Sequence, residues 1–244
     1  MDLTHAKVLI TGGSRGIGYA TARLLLARGA RVAIVARDPA RLQQAAADLP
    51  GAVPLAGDVR READVTQFVA AAIRAMGGLN VLVNNAGFGY IAPLAELQAV
   101  AFRRVWETNV LGAALCAREA SRYFLAQRYG HIVNVGSTSA TKANPGASPY
   151  VATKHALRGM TESWRGELRA HNIRVMLVNP SEVMTDFAAH RETPQGRQAI
   201  TYTDAEQQTK LRAEEIATII VDLLALDDRA LVTEATVFAT NPQR

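Results

Sequence analysis

The chain has 244 residues, of which 49% are hydrophobic and 20% are charged, and its formal net charge is +5. This composition is typical of a globular protein and excludes a fibrous or intrinsically disordered chain. The basic and acidic side chains are interspersed, without the run of about five or six like charges that is typical of a nucleic-acid-binding arm. We therefore expect a single domain over residues 1–244 and no nucleic-acid partner.

Cysteine content and the lengths of the apolar runs bear on the cellular compartment. Cys116 is the only cysteine, so the chain forms no internal disulfide, and its small apolar neighbours favour a buried structural thiol. The first residues lead straight into a short apolar strand without the features of a secretory signal, and no apolar run is long enough to span a bilayer. The simplest expectation is a cytoplasmic protein with neither a membrane partner nor a metal site.

Seven short apolar runs alternate with segments of helical periodicity along the chain. Continuous apolar runs are typical of strands that are covered on both faces. The alternation predicts a doubly wound parallel α/β sheet of about seven strands, with helices on both faces. The predicted strands lie within residues 6–12, 31–37, 52–57, 80–87, 131–137, 174–180 and 235–240.

A glycine-rich turn, "VLITGGSRGIG", joins the first predicted strand to the first helix, with glycines at positions 12, 13, 16 and 18. Glycines there allow a tight turn, bring the backbone close to a pyrophosphate and leave that anion at the positive end of a helix. The spacing differs from the usual GxGxxG, and the lack of a following GK[ST] argues against a nucleoside-triphosphatase loop. The position between strand and helix supports a dinucleotide site.

The end of the second strand bears on which dinucleotide binds. Arg37 follows this strand, and Arg15 lies in the glycine-rich turn, so two guanidinium groups are available for a 2′-phosphate. This pairing favours NADP(H) over NAD(H). Asp38 is the alternative, as an acid for the ribose, although "DPARL" also fits an N-cap aspartate with proline at the first helical position.

Tyr150 and Lys154 lie four positions apart in "SPYVATKHAL", at the start of a predicted helix. Such a pair is common on the solvated face of a helix and by itself proves nothing. Further along, residues 186–210 are polar, contain Pro194 and Gly196, and exceed the length of an ordinary connection. We expect this irregular segment to be a substrate-binding loop.

With these motifs in this order, the chain resembles the short-chain dehydrogenase/reductase family over nearly its whole length. Thr11 to Gly18 matches TGxxxGxG, Asn84 to Gly87 matches NNAG, and Tyr150 with Lys154 matches YxxxK. The resemblance implies a Rossmann fold and a single catalytic domain. Together with the arginines above, it predicts these contacts with NADP(H): Gly12, Ser14, Arg15, Gly16, Ile17, Gly18, Arg37, Asp58, Val59, Asn85, Ala86, Gly87, Tyr150, Lys154, Pro180, Val183 and Thr185.

The resemblance also implies four catalytic residues, Asn109, Ser137, Tyr150 and Lys154, acting on a small carbonyl compound or secondary alcohol. Tyr150 would exchange the proton, and Lys154 would lower the tyrosine pKa from about 10 and hold the nicotinamide ribose. Ser137 would polarise the carbonyl, and Asn109 would hold a water in a proton relay. A dinucleotide-binding sensor or scaffold with little turnover is the alternative, since a fold alone does not prove an activity.

Two departures from the family pattern stand out. Ser181 replaces the glycine that usually follows Pro180, which puts the local backbone conformation in doubt. The C-terminus lacks the Gly-Gly ending that is frequent in 3-oxoacyl-carrier-protein reductases, and this argues against that role. Phe88, Gly89 and Tyr90 are expected to help select the substrate. As in the family, the helices near residues 100–127 and 149–170 are predicted to pack in a homo-oligomer, a tetramer or a dimer.

Overall fold

The structure is a computed structural model that describes residues 1–189, 191–198 and 201–240. Its centre is a parallel sheet of seven strands, which confirms the predicted doubly wound α/β fold. Four two- or three-residue strands lie outside this sheet, namely Val183–Met184 (β7), Arg191–Thr193 (β8), Gly196–Gln198 (β9) and Leu211–Arg212 (β10). The seven central strands are Lys7–Thr11 (β1), Arg31–Ala36 (β2), Val53–Ala56 (β3), Val81–Asn84 (β4), Gly130–Val135 (β5), Ile173–Pro180 (β6) and Glu234–Val237 (β11).

The order of the strands across the sheet is β11-β6-β5-β4-β1-β2-β3. The chain therefore progresses from β1 outward in one direction and then restarts at β4 on the other side of β1. In this register Ile10 of β1 lies opposite Val83 of β4, so both strands end at the same edge. A crevice opens outside the carboxyl ends of the strands at such a switch point, and it is the usual ligand site of open parallel sheets.

Helices cover both faces of the sheet. Side chains of α1, α2 and α9 form one buried layer, and side chains of α3, α5 and α6 form the other. Successive residues of β1 alternate between them, because Val8 and Ile10 face the first layer and Leu9 the second. The helices are Gly16–Ala27 (α1), Pro39–Asp48 (α2), Glu62–Met76 (α3), Ala99–Trp106 (α4), Gly112–Gln127 (α5), Ser148–Leu168 (α6), Asp186–Ala189 (α7), Asp204–Thr209 (α8) and Ala213–Ala225 (α9).

A buried polar network fixes α6 to the centre of the sheet. The side-chain nitrogen of Asn84 donates to Oδ1 of Asn134 at 3.0 Å and to the main-chain oxygen of Ala113 at 3.2 Å. The side-chain nitrogen of Asn134 in turn donates to Oγ1 of Thr161 at 2.8 Å. Buried polar groups that are paired in this way favour one arrangement of the elements. The network thus ties β4, β5, α5 and α6 together below the carboxyl ends of the strands.

The segment from 186 to 210 is more regular than the sequence indicated. Strands β8 and β9 form an antiparallel hairpin, and α8 begins with a capping box between Thr203 and Glu206. The reason is local, since Gly196 takes a φ of +116° and accepts a hydrogen bond from Thr193 in the hairpin turn. Positions 190, 199 and 200 of the predicted loop and positions 241–244 of the predicted domain lie outside the described residues.

The helices predicted to pack in an oligomer expose only part of the expected apolar surface. Helices α4 and α5 are joined by a π-helical turn, Glu107–Leu111, and run continuously from 99 to 127. Trp106 and Leu111 are 39% and 43% exposed, whereas Ala113 and Leu115 are each 8% exposed. Ala113 and Leu115 are therefore buried within this chain, and the oligomer itself stays a prediction that rests on Trp106 and Leu111.

Candidate active site

A cleft of about 650 Å³ lies at the carboxyl ends of the strands, at the switch point between β1 and β4. Nearly all the predicted site residues line it, although they come from many separate segments. Gly18 and Asn109 are the exceptions, and both lie behind the cleft wall. The predicted residues that line it are Gly12, Ser14, Arg15, Gly16, Ile17, Arg37, Asp58, Val59, Asn85, Ala86, Gly87, Ser137, Tyr150, Lys154, Pro180, Val183 and Thr185.

The glycine-rich turn needs glycine for two different reasons. Gly12 and Gly16 take φ angles of +65° and +54°, in the left-handed region that side chains disfavour. Gly18 is required by space, since a Cβ there would lie 2.5 Å from the main-chain oxygen of Gly12 and from Nδ2 of Asn85. Asn85 also donates to the main-chain oxygens of Thr11 and Gly12. The two loops that follow β1 and β4 therefore support each other.

Arginines line the end of the cleft near β2. Arg15 and Arg37 lie there as predicted, and Arg41 from the first turn of α2 joins them. Asp38 caps α2, because its carboxylate accepts from the main-chain nitrogen of Arg41 at 3.1 Å. The cap accounts for Asp38 without a ribose.

The carboxylate of Asp58 forms an ion pair with the neighbouring Arg60. The Nε atom of Arg60 donates to both of its oxygens, at 3.0 and 2.9 Å. Burial raises the pKa of Asp58, but the hydrogen bonds from Arg60 outweigh burial and leave this pKa below its ordinary value. Asp58 therefore lines the cleft as a paired carboxylate, with Val59 beside it.

Tyr150 and Lys154 lie one turn apart on α6 and line the cleft together with Ser137, which follows β5. The ammonium nitrogen of Lys154 donates to the main-chain oxygen of Val135 at 2.8 Å and lies 5.7 Å from the centre of the Tyr150 ring. The hydroxyl oxygen of Ser137 accepts from the main-chain nitrogen of Ser139 at 3.1 Å. The Ser137 hydroxyl also hydrogen-bonds to the hydroxyl of Tyr150, so both of its roles, acceptor and donor, are used in this structure.

Burial dominates the protonation of the tyrosine and the lysine. It raises the pKa of Tyr150 to about 12, although the Ser137 hydroxyl and the charge on Arg191 act in the opposite direction. Burial also lowers the pKa of Lys154 to about 8. The expected lowering of the tyrosine pKa by Lys154 is not found in this structure, where the ammonium group is bonded to Val135 instead. Each group is desolvated, which favours its neutral form.

Asn109 is buried in the π-helical turn and does not reach the cleft. Its Oδ1 accepts from the main-chain nitrogen of Phe88 at 3.1 Å, and its Nδ2 donates to the main-chain oxygen of Phe88 at 3.0 Å. The same nitrogen donates to Oγ1 of Thr153 at 3.1 Å. Both hydrogens of the Asn109 side-chain amide are thereby used. A proton relay through this residue would therefore use its side-chain or main-chain oxygen. The side chain itself positions the turn after β4 against α6.

Thr153 is a positioning residue that the sequence analysis missed. It is fully buried, and its hydroxyl accepts from Asn109 while donating to the main-chain oxygen of Tyr150 at 2.7 Å. It precedes Lys154 directly, and a threonine that bonds back along its own helix is an ordinary pattern. Only the contact with Asn109, which is 44 positions away, distinguishes it.

Thr153→Val should lower the free energy of unfolding by about 1–3 kcal/mol, because Asn109 would keep a buried donor without an acceptor. Urea denaturation measures this loss. Thr218→Val is the matched control, since Thr218 makes a similar bond along α9 but is exposed, and its effect should stay within about 0.5 kcal/mol. A Thr153→Val protein as stable as the control would contradict the role assigned to Thr153.

Two further expectations are corrected at the cleft wall. Tyr90 is fully buried and its hydroxyl accepts from the main-chain nitrogen of Gln98 at 3.0 Å, so it cannot contact a substrate in this structure. Ser181 lines the cleft without a positive φ, so its backbone does not require the usual glycine. Phe187 belongs to the predicted substrate-binding loop, and the centre of its ring lies 5.6 Å from that of Tyr150.

Comparison with known proteins agrees with this geometry. The model of the short chain dehydrogenase family matches residues 6–196. Carbonyl reductase family member 4 of Danio rerio is 37% identical over 78% of this chain and 83% of its own. A 3-oxoacyl-[acyl-carrier-protein] reductase of Bos taurus is 39% identical over 73% of this chain and 76% of its own.

A solved structure resembles the whole fold. It is a metagenomic short-chain oxidoreductase in complex with NADP, which is 28% identical, covers 98% of this chain and 100% of its own, and superimposes with a TM-score of 0.81. In the part of the chain that the structure describes, no helix is both long and apolar enough to cross a membrane. On these matches, the chain belongs to the short-chain dehydrogenase/reductase family of oxidoreductases.

Proposed function

We propose that this protein is an NADP(H)-dependent oxidoreductase that interconverts a carbonyl group and a secondary alcohol on a small molecule. The observation that carries the proposal is that Ser137, Tyr150 and Lys154 line the same cleft as the glycine-rich turn. The cleft fits a dinucleotide, because its glycines leave room for a pyrophosphate and its arginines supply positive charge. The solved relative in complex with NADP supports this choice of cofactor.

When bound, the nicotinamide supplies or accepts the hydride, and the side chains of this protein handle the proton. The Ser137 hydroxyl, which hydrogen-bonds to Tyr150 in this structure, turns to donate to the substrate oxygen, and the Tyr150 hydroxyl gives a proton to the same atom. Because burial holds the pKa of Tyr150 at about 12, the phenol stays protonated at neutral pH. A protonated phenol is the form that gives a proton in carbonyl reduction.

Lys154 acts at the inner end of the site. Its ammonium group lies next to the Tyr150 ring and is held by the main-chain oxygen of Val135. From this position it binds the nicotinamide ribose. With a pKa of about 8, Lys154 remains mostly charged at pH 7.

The preference for NADP(H) follows from the arginines near β2. Arg37 and Arg15 line this end of the cleft, and Asp38 serves as a helix cap instead of a ribose ligand. Arg37→Gln should weaken NADPH binding by about tenfold or more and leave NADH binding nearly unchanged, since it removes one charge-assisted contact with a 2′-phosphate. Fluorescence titration of the purified protein with both dinucleotides measures the effect.

Asp38→Asn is the matched control for that experiment. Asparagine caps a helix about as well as aspartate, so this variant should bind both dinucleotides like the wild type. If Asp38→Asn instead weakened NADH binding and Arg37→Gln left NADPH binding unchanged, Asp38 would be the ribose ligand and the preference for NADP(H) would be wrong. The cytoplasmic location stays a prediction.

The names of the relatives indicate more than one class of substrate. One is named as a carbonyl reductase and another as a 3-oxoacyl-[acyl-carrier-protein] reductase, the role against which the C-terminal ending of this chain argued. Absorbance assays with NADPH against ketones, 3-oxo esters and oxo acids test turnover directly. Tight NADPH binding without oxidation by any of these compounds would favour the sensor or scaffold alternative.

A further inference from the structure

The hairpin of β8 and β9 is docked on the turn that follows β4. The main-chain nitrogen of Ile91 donates to the oxygen of Glu192, and the nitrogen of Glu192 donates to the oxygen of Gly89, both at 2.9 Å. The carboxylate of Glu192 also accepts from Arg104 of α4 at 2.8 Å. These contacts place the hairpin at the mouth of the cleft and hold it there.

Arg197 on this hairpin pairs with no acid among the residues that the structure describes. It lies opposite Glu192 in the hairpin register, but the side chain of Glu192 is bonded to Arg104. Arg197 forms neither a hydrogen bond nor an ion pair with any residue in the described ranges. Its side chain lines the cleft instead. A solvated arginine would need no partner, so its position in the cleft wall is the informative feature.

Four arginines meet at this part of the cleft, namely Arg15, Arg37, Arg41 and Arg197. Burial lowers the pKa of Arg15, and the positive charges of Arg41, Arg197 and Arg37 lower it further, whereas Asp186 acts in the opposite direction. These guanidinium groups are therefore close enough to repel one another. An anion between them would relieve the repulsion, and a phosphate group suits the planar fork of arginine.

We propose that Arg197 binds a phosphate group of the dinucleotide and that the hairpin is a strap over the cofactor, in addition to its place beside the substrate. The inference rests on the proposed function, because it assumes a dinucleotide in the cleft. It adds a residue from the hairpin to the two arginines near β2 that sequence patterns identify. The phosphate is either the 2′-phosphate of the adenosine ribose or the pyrophosphate.

The test is fluorescence titration of Arg197→Gln with NADPH and with NADH. We expect the dissociation constant for NADPH to rise by about tenfold, as for the loss of one charge-assisted contact. An equal rise with NADH assigns Arg197 to the pyrophosphate, and a rise with NADPH alone assigns it to the 2′-phosphate. Arg197→Lys should recover part of the affinity, since lysine keeps the charge but loses the fork.

Arg28→Gln is the matched control, because it removes the same charge from an exposed position at the far end of α1. It should bind both dinucleotides like the wild type. If Arg197→Gln also bound both like the wild type, the strap would be refuted while the proposed function stood. A wild-type protein that bound NADH as well as NADPH would refute the cofactor preference alone, and one that bound neither would refute both.

Discussion

Tyr150→Phe should lower kcat for carbonyl reduction by about 10²–10⁴-fold while leaving the dissociation constant for NADPH within about twofold of the wild type. The substitution removes only the hydroxyl that is proposed to give the proton, and the ring keeps its place beside Phe187 and Lys154. Steady-state absorbance assays measure kcat, and fluorescence titration measures cofactor affinity. A loss of kcat without a loss of affinity is the signature of a group that acts only in the transition state.

Tyr129→Phe is the matched control for this variant. Tyr129 also carries a hydroxyl with a polar partner, since it donates to Asp228 at 3.1 Å, but it lies at the opposite end of β5 from Ser137. We expect kcat of Tyr129→Phe to equal that of the wild type. A Tyr150→Phe enzyme with wild-type kcat would remove Tyr150 from the mechanism, and equal losses in both variants would indicate a general structural effect.

Lys154→Met should make the protein more stable by about 2 kcal/mol at pH 7 while abolishing most of its turnover. Burial lowers the lysine pKa from the ordinary 10.5 to about 8, so holding the charged form in the fold costs about 3 kcal/mol. Loss of the bond to Val135 offsets about 1 kcal/mol of the gain. The methionine side chain has a similar length and carries no charge, so its burial has no desolvation cost of this kind.

The pKa of Lys154 also determines how the stability difference between Lys154→Met and the wild type depends on pH. Between pH 8 and pH 10.5 the unfolded chain keeps the proton on Lys154 and the folded protein releases it, so wild-type stability rises with pH in this window. The advantage of Lys154→Met should therefore shrink across that range. Urea denaturation at several pH values measures it, with exposed Lys142→Met as the control that should show no such trend. A constant difference would show that the burial of Lys154 does not affect its protonation.

Local sequence determined the fold to a large extent. Each of the seven predicted apolar runs overlaps a strand of the central sheet, because a strand covered on both faces needs apolar side chains at consecutive positions. Glycines at 12 and 16 marked the turn after β1, since a left-handed backbone selects glycine locally. Asp38 followed by Pro39 marked the start of α2 for the same kind of local reason.

The candidate site was determined by sequence only where a motif is contiguous. Tyr150 and Lys154 share a helix face, and the family resemblance implied Ser137, so these three residues could be named in advance. Their protonation could not, because burial by the surrounding elements raises one pKa and lowers the other. Residues 186–210 were only partly predictable, since Gly196 sets the hairpin turn locally but the position of the hairpin depends on its hydrogen bonds to Gly89 and Ile91.

Only the tertiary structure decided the roles of residues that act across the fold. Asn109 meets Thr153 from another helix, and Arg197 reaches the arginines near β2 from more than 150 positions away along the chain. No local pattern distinguishes these residues from solvated side chains of the same type. The physical reason is that hydrogen bonding and charge repulsion depend on distance in space, which the packing of helices on the sheet sets and the spacing in sequence does not.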